Sequence, residues 1–353
     1  MGYMSLLKKA LRYLTGALLT VLLFAATPVG SASLYTGPIS DHFDGERFYN
    51  DIPDHTFGAM VKWLWEMKTS AWPEWVDDPV QPGPVEKVVG GRLRVTYINH
   101  ATVLIQMDGL NILTDPIWSN RAGPFSWLGT KRVRAPGVKM EDLPRIDVIL
   151  ISHDHYDHLD LPTLHTLCTR DQPLILTGLG VKPFLESNGL SNVIQLDWWQ
   201  EHVCESSNMK FVFVPALHTS GRRIFEENST LWGGFIMEGN SARVYFAGDT
   251  GYGGFLDKIK ERYAGFRLTI FPMGNYEKRW FMKNQHMNPD DALRAHMLLG
   301  SQQSVGMHFS TFVEHPEQAI DAHEKDLLEA LKQHNVPASE FWILKFGEAR
   351  DVK

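Results

Sequence analysis

The chain has 353 residues, of which 44% are hydrophobic, and a formal net charge of -7 from 41 acidic and 34 basic side chains. This length and composition predict a large buried core, arranged as one domain or two fused halves. The negative balance provides no general attraction to nucleic acid, so no nucleic-acid partner is expected. Cys168 and Cys204 are too few for a disulfide scaffold or a thiolate zinc cluster and are predicted to be ordinary thiols.

The N-terminal segment has the pattern of an export signal. Basic residues precede the apolar run Leu14–Ala26, and the small residues Gly30-Ser31-Ala32 follow it. The run is shorter than the roughly 20 residues of a spanning helix, which favours cleavage, although an uncleaved anchor stays open. Residues 1–32 are therefore predicted to be a signal peptide or signal anchor. The predicted location is the periplasm or a membrane surface.

Residues 33–90 are rich in proline and tryptophan and are predicted to be an N-terminal extension. Within it, Phe57–Met67 has apolar residues near one helical face, including Met60, Trp63 and Leu64. This face is expected to pack on the main domain. The alternative is a tryptophan-rich surface that meets lipid at the headgroup boundary.

From residue 91 the chain alternates short β-rich runs with helical segments, which predicts a mixed α/β main domain over 91–353. The predicted strands are Arg92–Asn99, Thr102–Met107, Ile112–Asp115, Val148–Ser152, Leu174–Thr177, Val193–Leu196, Phe211–Ala216, Trp232–Met237, Arg243–Ala247, Leu268–Phe271, Ser304–His308 and Phe341–Lys345. The predicted helices begin near Leu161 and Pro289 or span Val181–Ser187, Tyr252–Tyr263 and Pro316–Gln333.

The six positions from His153 to His158 contain three histidines and two aspartates, directly after an apolar strand. Such groups are costly to bury unless a divalent cation binds them, and imidazole mixed with carboxylate favours zinc. On an extended chain His153, His155 and Asp157 point to one side and His158 follows at once. One turn can therefore serve two neighbouring ions.

One loop cannot complete two coordination spheres, so further ligands are expected at other strand ends. His218, Asp249 and His308 each follow an apolar strand, which is where sites of open sheets collect their chemistry. The glycine-rich run after Gly248 has no following lysine of a nucleotide site, and it is interpreted as a tight turn that presents Asp249.

These residues resemble the metallo-β-lactamase superfamily and, within it, the N-acyl-phosphatidylethanolamine-hydrolysing phospholipase D family. The resemblance covers roughly residues 91–350 and implies an α/β fold, a four-layer αββα sandwich of two fused halves. Its motifs are His100-Ala-Thr-Val, Leu113-Thr-Asp-Pro-Ile, Ile151-Ser-His-Asp-His-Tyr-Asp-His-Leu-Asp, Leu196-Asp-Trp-Trp, Phe246-Ala-Gly-Asp-Thr-Gly-Tyr, Arg279-Trp-Phe-Met-Lys and Leu344-Lys-Phe-Gly-Glu.

The resemblance also implies a dinuclear zinc site with two zinc ions per chain. It implies one zinc on His153, His155 and His218, the other on Asp157, His158 and His308, and Asp249 as the bridge. Gln285 and His286 match a pair that lines the substrate cavity, and Tyr156 is predicted to contact substrate. Asp154 stands where the mammalian enzyme has asparagine, which leaves the headgroup preference open.

The implied activity is that of a zinc-dependent phosphodiesterase that releases phosphatidic acid and an N-acylethanolamine. Asp157 would help to orient the attacking water, and His286 would bind a phosphoryl oxygen or donate a proton, unless it is a buried structural imidazole. The alternatives are a lactonase of the ascorbate-6-phosphate type and a non-catalytic lipid-binding scaffold.

The implied partner is a phospholipid at a membrane surface, and the family also implies a homodimer. Candidates for the apolar landing surface are the tryptophan-rich extension and Pro124–Leu128. Lys131, Arg132 and Arg134 lie nearby in sequence to meet anionic headgroups, or they form an ordinary solvated loop.

Overall fold

The computed structural model describes residues 35–50, 56–66, 72–205, 207–222, 227–313 and 318–353. The predicted export signal, residues 1–32, lies outside the described residues. In the described part of the chain, every helix is too short or too polar to cross a bilayer.

The regular elements alternate along the chain largely as the sequence predicts. The first half contains α1 (Phe57–Glu66), β1 (Leu93–Asn99), β2 (Thr102–Met107), β3 (Leu110–Thr114), β4 (Arg121–Phe125), β5 (Leu128–Lys131), β6 (Val148–Ile151), α2 (Leu161–Asp171), β7 (Leu174–Gly178), α3 (Val181–Ser187) and β8 (Val193–Leu196). The second half contains β9 (Glu201–Cys204), β10 (Met209–Val214), β11 (Gly234–Glu238), β12 (Arg243–Phe246), α4 (Phe255–Tyr263), β13 (Leu268–Pro272), α5 (Arg279–Met282), α6 (Pro289–Leu299), β14 (Ser304–Met307), α7 (Ala322–His334), β15 (Phe341–Trp342) and β16 (Ala349–Val352).

The strands form two seven-stranded sheets with equivalent topologies. Their orders are β16-β1-β2-β3-β6-β7-β8 and β9-β10-β11-β12-β13-β14-β15. In each sheet three antiparallel pairings are followed by three parallel pairings. The two sheets therefore share one pattern of strand pairing, although β16, an edge strand of the first sheet, follows the second sheet in the chain.

Each sheet lies between the other sheet and a layer of helices, because the side chains of a strand alternate between its two faces. On β6, Val148 and Leu150 join the central cluster that both sheets share. Their neighbours Ile149 and Ile151 point the other way and pack with Leu164 of α2. Helices α4, α6 and α7 contribute apolar residues on the far side of the second sheet. The predicted four-layer αββα sandwich is confirmed.

The N-terminal extension packs on this sandwich through aromatic side chains. Phe43 and Phe48 are buried in the central core. On α1, Trp63 stacks on Phe281 with ring centroids 5.0 Å apart, whereas Met60 is 43% exposed. The helix contacts the main domain through Trp63, and its predicted last residue, Met67, lies outside the described residues.

Several elements differ from the sequence-based expectation. The hairpin β4–β5, the edge strand β9, the short helix α5 and the strand β16 were not predicted. Helix α7 begins at Ala322, and its predicted start, Pro316, lies outside the described residues. Strand β15 ends at Trp342 rather than Lys345. Cys168 and Cys204 are both half-buried, as predicted.

Candidate metal centre

The residues predicted as ligands lie where strands of both sheets end. His153 follows the carboxyl end of β6 in the first sheet. His218, Asp249 and His308 follow β10, β12 and β14 in the second sheet. Because β6, β12 and β14 belong to the parallel parts of their sheets, their carboxyl ends bring these loops to one edge of the sandwich.

Three imidazoles form the first group of ligand atoms. His153 Nε2 lies 2.8 Å from His155 Nδ1, which lies 3.3 Å from His218 Nε2. Burial lowers the pKa of all three rings from the usual histidine value. The rings are therefore neutral near pH 7, the form in which imidazole binds a metal ion.

A second group is joined to the first through Asp249. Asp157 Oδ2 lies 3.6 Å from both His158 Nε2 and His308 Nε2. Asp249 Oδ2 lies 3.3 Å from His158 Nε2, 3.0 Å from His308 Nε2 and 3.8 Å from His218 Nε2. One carboxylate oxygen thus faces both groups, which is the position of a bridging ligand.

The donor set fits divalent metal ions. Within the described part of the chain, His158 Nε2 and Asp249 Oδ1 are buried without a hydrogen-bond partner, an arrangement that is destabilising unless an ion binds them. Burial opposes ionisation of Asp249, yet the neighbouring His308 and His158 hold the pKa of its carboxyl well below the usual range. Burial likewise opposes protonation of His158, yet the carboxylates of Asp249, Asp157 and Asp115 raise its pKa to about 10. The cluster therefore favours positive charge, which metal ions would supply.

Asp115 supports ligands in both groups, and the sequence analysis assigned it no role. Its Oδ2 accepts hydrogen bonds from His158 Nδ1 at 2.7 Å and from Ser152 Oγ at 2.6 Å, and its Oδ1 accepts one from Ser152 N at 2.7 Å. Ser152 Oγ also lies 2.9 Å from His153 Nδ1. These bonds fix the proton-bearing nitrogens and leave both Nε2 atoms directed at the cluster.

His100 is a second supporting residue that sequence reasoning missed. It lies in the β1–β2 turn with a φ of 44°, fully buried, and its Nε2 lies 2.9 Å from Asp157 Oδ2. Its carbonyl oxygen accepts a hydrogen bond from the amide of His308 at 2.8 Å. His100 therefore positions one carboxylate and one imidazole of the second group.

The turn before Asp249 requires glycine. Gly248 has a φ of 62°, and a Cβ atom there would lie 2.7 Å from Ser152 Cβ and 2.8 Å from Gly233 O. The absence of a side chain lets the β12 loop approach the Ser152 loop. This agrees with the interpretation of the glycine-rich run as a turn that presents Asp249.

A cavity of about 360 Å³ opens beside both ligand groups. Its lining combines a polar side with an apolar wall. The lining residues are Trp63, His155, Asp157, His218, Asp249, Asn275, Phe281, Met282, Gln285 and His286. Gln285 also acts through its backbone, because its carbonyl oxygen accepts a hydrogen bond from His218 Nδ1 at 3.1 Å. The structure thus brings Gln285 and His286 to the metal centre.

His286 is buried between Asp249 and Asn275, a residue that sequence reasoning did not single out. Asn275 Nδ2 lies 3.3 Å from His286 Nε2, and His286 Nδ1 lies 3.7 Å from Asp249 Oδ2. Burial lowers the pKa of His286 to about 3, so the ring is neutral. Because the Asn275 amide donates to Nε2, the ring proton resides on Nδ1.

Tyr156 and Asp154 are not among the residues that line this cavity. The guanidinium carbon of Arg222 lies 4.0 Å from the centre of the Tyr156 ring. Asp154 is buried, and its Oδ1 accepts a hydrogen bond from Gly221 N at 2.7 Å. The negative charge of Asp154 is therefore directed at the His218–Arg222 loop, and substrate contact by Tyr156 stays a prediction.

Comparison with known proteins agrees with this fold. The family described as "Beta-lactamase superfamily domain" matches residues 110–309. The "N-acyl-phosphatidylethanolamine-hydrolyzing phospholipase D 1" of Caenorhabditis elegans is 38% identical over 62% of this chain and 64% of its own length. The "N-acyl-phosphatidylethanolamine-hydrolyzing phospholipase D, mitochondrial" of Saccharomyces cerevisiae is 34% identical over 69% of this chain and 53% of its own length.

The solved structures give the same fold. Igni18, a metallo hydrolase from Ignicoccus hospitalis, superposes with a TM-score of 0.57 at 21% identity, over 74% of this chain and 99% of its own. The fold and the clustered ligand atoms together define a metallo-β-lactamase-type domain with a candidate metal centre. The chain belongs to the metallo-β-lactamase superfamily, and it spans less than two thirds of the length of these two relatives.

Proposed function

We propose that this protein is a dinuclear zinc phosphodiesterase of the phospholipase D type that hydrolyses N-acyl-phosphatidylethanolamine. The observation that carries the proposal is that one cavity joins both ligand groups to an apolar wall of Trp63, Phe281 and Met282. A substrate with a phosphodiester beside long acyl chains needs both features. The names of the related nematode and yeast proteins support this choice of substrate.

Each of the two groups of ligand atoms described above would hold one zinc ion. His153, His155 and His218 would hold one zinc, Asp157, His158 and His308 the other, and Asp249 would contact both. Nitrogen and carboxylate donors of this kind suit zinc. When bound, the pair supplies Lewis acidity that activates water and polarises a phosphoryl oxygen.

The chain's own residues orient the reactants. Asp157 accepts a hydrogen bond from His100 Nε2 at 2.9 Å. The carboxylate lone pairs that this bond does not use would orient the attacking water. His286 lines the cavity, and among the described residues its buried Nδ1 has no hydrogen-bond partner. A phosphoryl oxygen or the leaving oxygen of the substrate is the acceptor that fits there. As the bond from the attacking water oxygen to phosphorus forms, the bond from phosphorus to the N-acylethanolamine oxygen breaks, and that oxygen takes up the proton that the water releases.

The direct test is product analysis. Zinc-loaded protein is incubated with N-acyl-phosphatidylethanolamine in detergent micelles, and the lipids are identified by mass spectrometry. Phosphatidic acid and N-acylethanolamine are expected in equal amounts, and a chelator is expected to stop their release. Intact substrate, or turnover only of a lactone panel run in parallel, would contradict the proposal.

Asn275→Ala is expected to lower kcat about 10-fold, with a smaller change in KM. The substitution removes the amide that fixes the proton of His286 on Nδ1, so the donor would be present in only part of the molecules. Steady-state kinetics in micelles measures both constants. Asn284→Ala is the matched control, because Asn284 is close in sequence but does not line the cavity. An unchanged kcat in the Asn275 variant would remove His286 orientation from the mechanism.

A further inference from the structure

The hairpin β4–β5 carries two exposed aromatic side chains that no described element covers. Phe125 and Trp127 are 55% and 65% exposed, and their rings stack with centroids 5.3 Å apart at an interplanar angle of 5°. The hairpin is a two-stranded sheet separate from both large sheets. Large aromatic surfaces are normally buried or used for binding, so this tip is a candidate contact surface.

The segment that contains the hairpin has a net charge of opposite sign to that of the chain as a whole. Residues 116–140 contain five cationic side chains and no aspartate or glutamate, in a chain of net charge -7. Arg121 and Lys131 lie directly opposite each other at the base of the hairpin. Arg132 and Arg134 are not available for headgroups as the sequence suggested, because Arg132 is buried and Arg134 pairs with Asp78 at 2.9 Å.

The hairpin is fixed to the edge of the sandwich that holds the metal centre. On its entry side, Ser119 Oγ donates to Asp160 Oδ1 at 2.7 Å, and Asp160 belongs to the loop with four of the proposed ligands. On its exit side, Arg132 forms a β-bridge with Phe312, in the segment after β14. Arg132 Nε also donates to Ser119 O at 2.9 Å, which ties the two sides together. The base of the hairpin is therefore anchored at the same edge of the sandwich as the candidate metal centre.

We propose that the hairpin tip, Phe125 and Trp127, inserts into the headgroup region of an anionic phospholipid membrane, with Arg121 and Lys131 on the lipid phosphates. Aromatic rings favour this interfacial depth, and each cation near an anionic surface adds to the attraction. The occupant is a lipid surface because an aromatic tip above a cationic base matches the order of layers in a bilayer leaflet. The proposal rests on the proposed function, since a membrane-docked hairpin would bring the cavity to its lipid substrate.

Vesicle sedimentation tests the surface independently of activity. Full-length zinc-loaded protein is mixed with vesicles of phosphatidylcholine alone or with added phosphatidylglycerol. The native protein is expected to bind the anionic vesicles, and Phe125→Ser with Trp127→Ser to reduce the partition coefficient about 10-fold or more. Arg121→Gln with Lys131→Gln is expected to remove most of the preference for phosphatidylglycerol. Val89→Ser is the matched control, because Val89 is also 55% exposed. Val89 lies beside the β2–β3 turn, at the start of β3, whereas the hairpin follows the end of β3.

Fluorescence supplies a second readout that does not depend on loss of binding. Quenching by bromine-labelled lipid is expected in the native protein and is expected to fall in Trp127→Phe, which should still sediment with vesicles. Native-like vesicle binding by the double serine variant, or unchanged quenching in Trp127→Phe, would overturn the proposal. Failure of the proposed function is distinguishable, because protein that binds vesicles but releases no N-acylethanolamine in micelles retains the docking surface and lacks the activity.

Discussion

His158→Ala is expected to lower kcat/KM about 1,000-fold or more and to reduce the zinc content below that of the native protein. The imidazole is fully buried, and its Nε2 lies between Asp249 Oδ2 at 3.3 Å and Asp157 Oδ2 at 3.6 Å. Its removal leaves both carboxylates without this partner and removes one ligand of the second ion. Micellar kinetics and metal analysis of the purified variant measure the two effects.

His296→Ala is the control for loss of a buried imidazole as such. His296 is also buried, but its Nδ1 lies 2.8 Å from Ser304 Oγ, away from the ligand groups. This variant is expected to lose stability while it retains zinc and turnover per folded molecule. A fully active His158→Ala protein with the native zinc content would refute the assignment of the second group.

Asp115→Asn is expected to weaken zinc binding about 10- to 100-fold and to lose activity in proportion at limiting zinc. The carboxylate accepts three hydrogen bonds, from His158 Nδ1, Ser152 Oγ and Ser152 N. An amide offers one acceptor oxygen and directs N–H groups at one of these donors, so His158 would lose its fixed orientation. Competition with a chromophoric chelator measures the affinity.

Excess zinc separates this supporting role from direct ligation. Activity of Asp115→Asn is expected to recover largely at saturating zinc, whereas His158→Ala is not expected to recover. Asp171→Asn is the matched control, because Asp171 is a buried carboxylate that accepts from Ile146 N at 2.9 Å and does not contact the cluster. If Asp115→Asn bound zinc with native affinity, the role given to the Asp115 network would be wrong.

The clustering of the proposed ligands could be predicted because they lie in segments that follow apolar runs, a pattern visible in the sequence alone. Asp115 carries the same signal after β3, but a single carboxylate at a strand end has many structural explanations. Its role depends on β3 pairing in parallel with β6, with Thr114 opposite Leu150, which places Asp115 beside Ser152. Pairing between strands separated by more than thirty residues is not encoded in local sequence.

The hairpin was not predicted because it contains residue types that are unfavourable in strands. Arg121–Phe125 contains Gly123 and Pro124, residues that usually mark turns. In the structure Gly123 lies against Gly129, and a Cβ atom on either would come within 2.1 Å of a carbonyl oxygen on the partner strand. The glycines therefore permit a close strand approach that only tertiary structure reveals.

The position of β16 affects how the chain acquires its fold during synthesis. This strand pairs with β1 through Leu93–Thr96, although β1 opens the first sheet and β16 follows the whole second sheet. The backbone groups on one edge of β1 therefore stay unpaired until the second half has been synthesised. A chaperone that shields this edge would improve the yield of soluble protein, and a chain interrupted before Ala349 would be prone to aggregate through it.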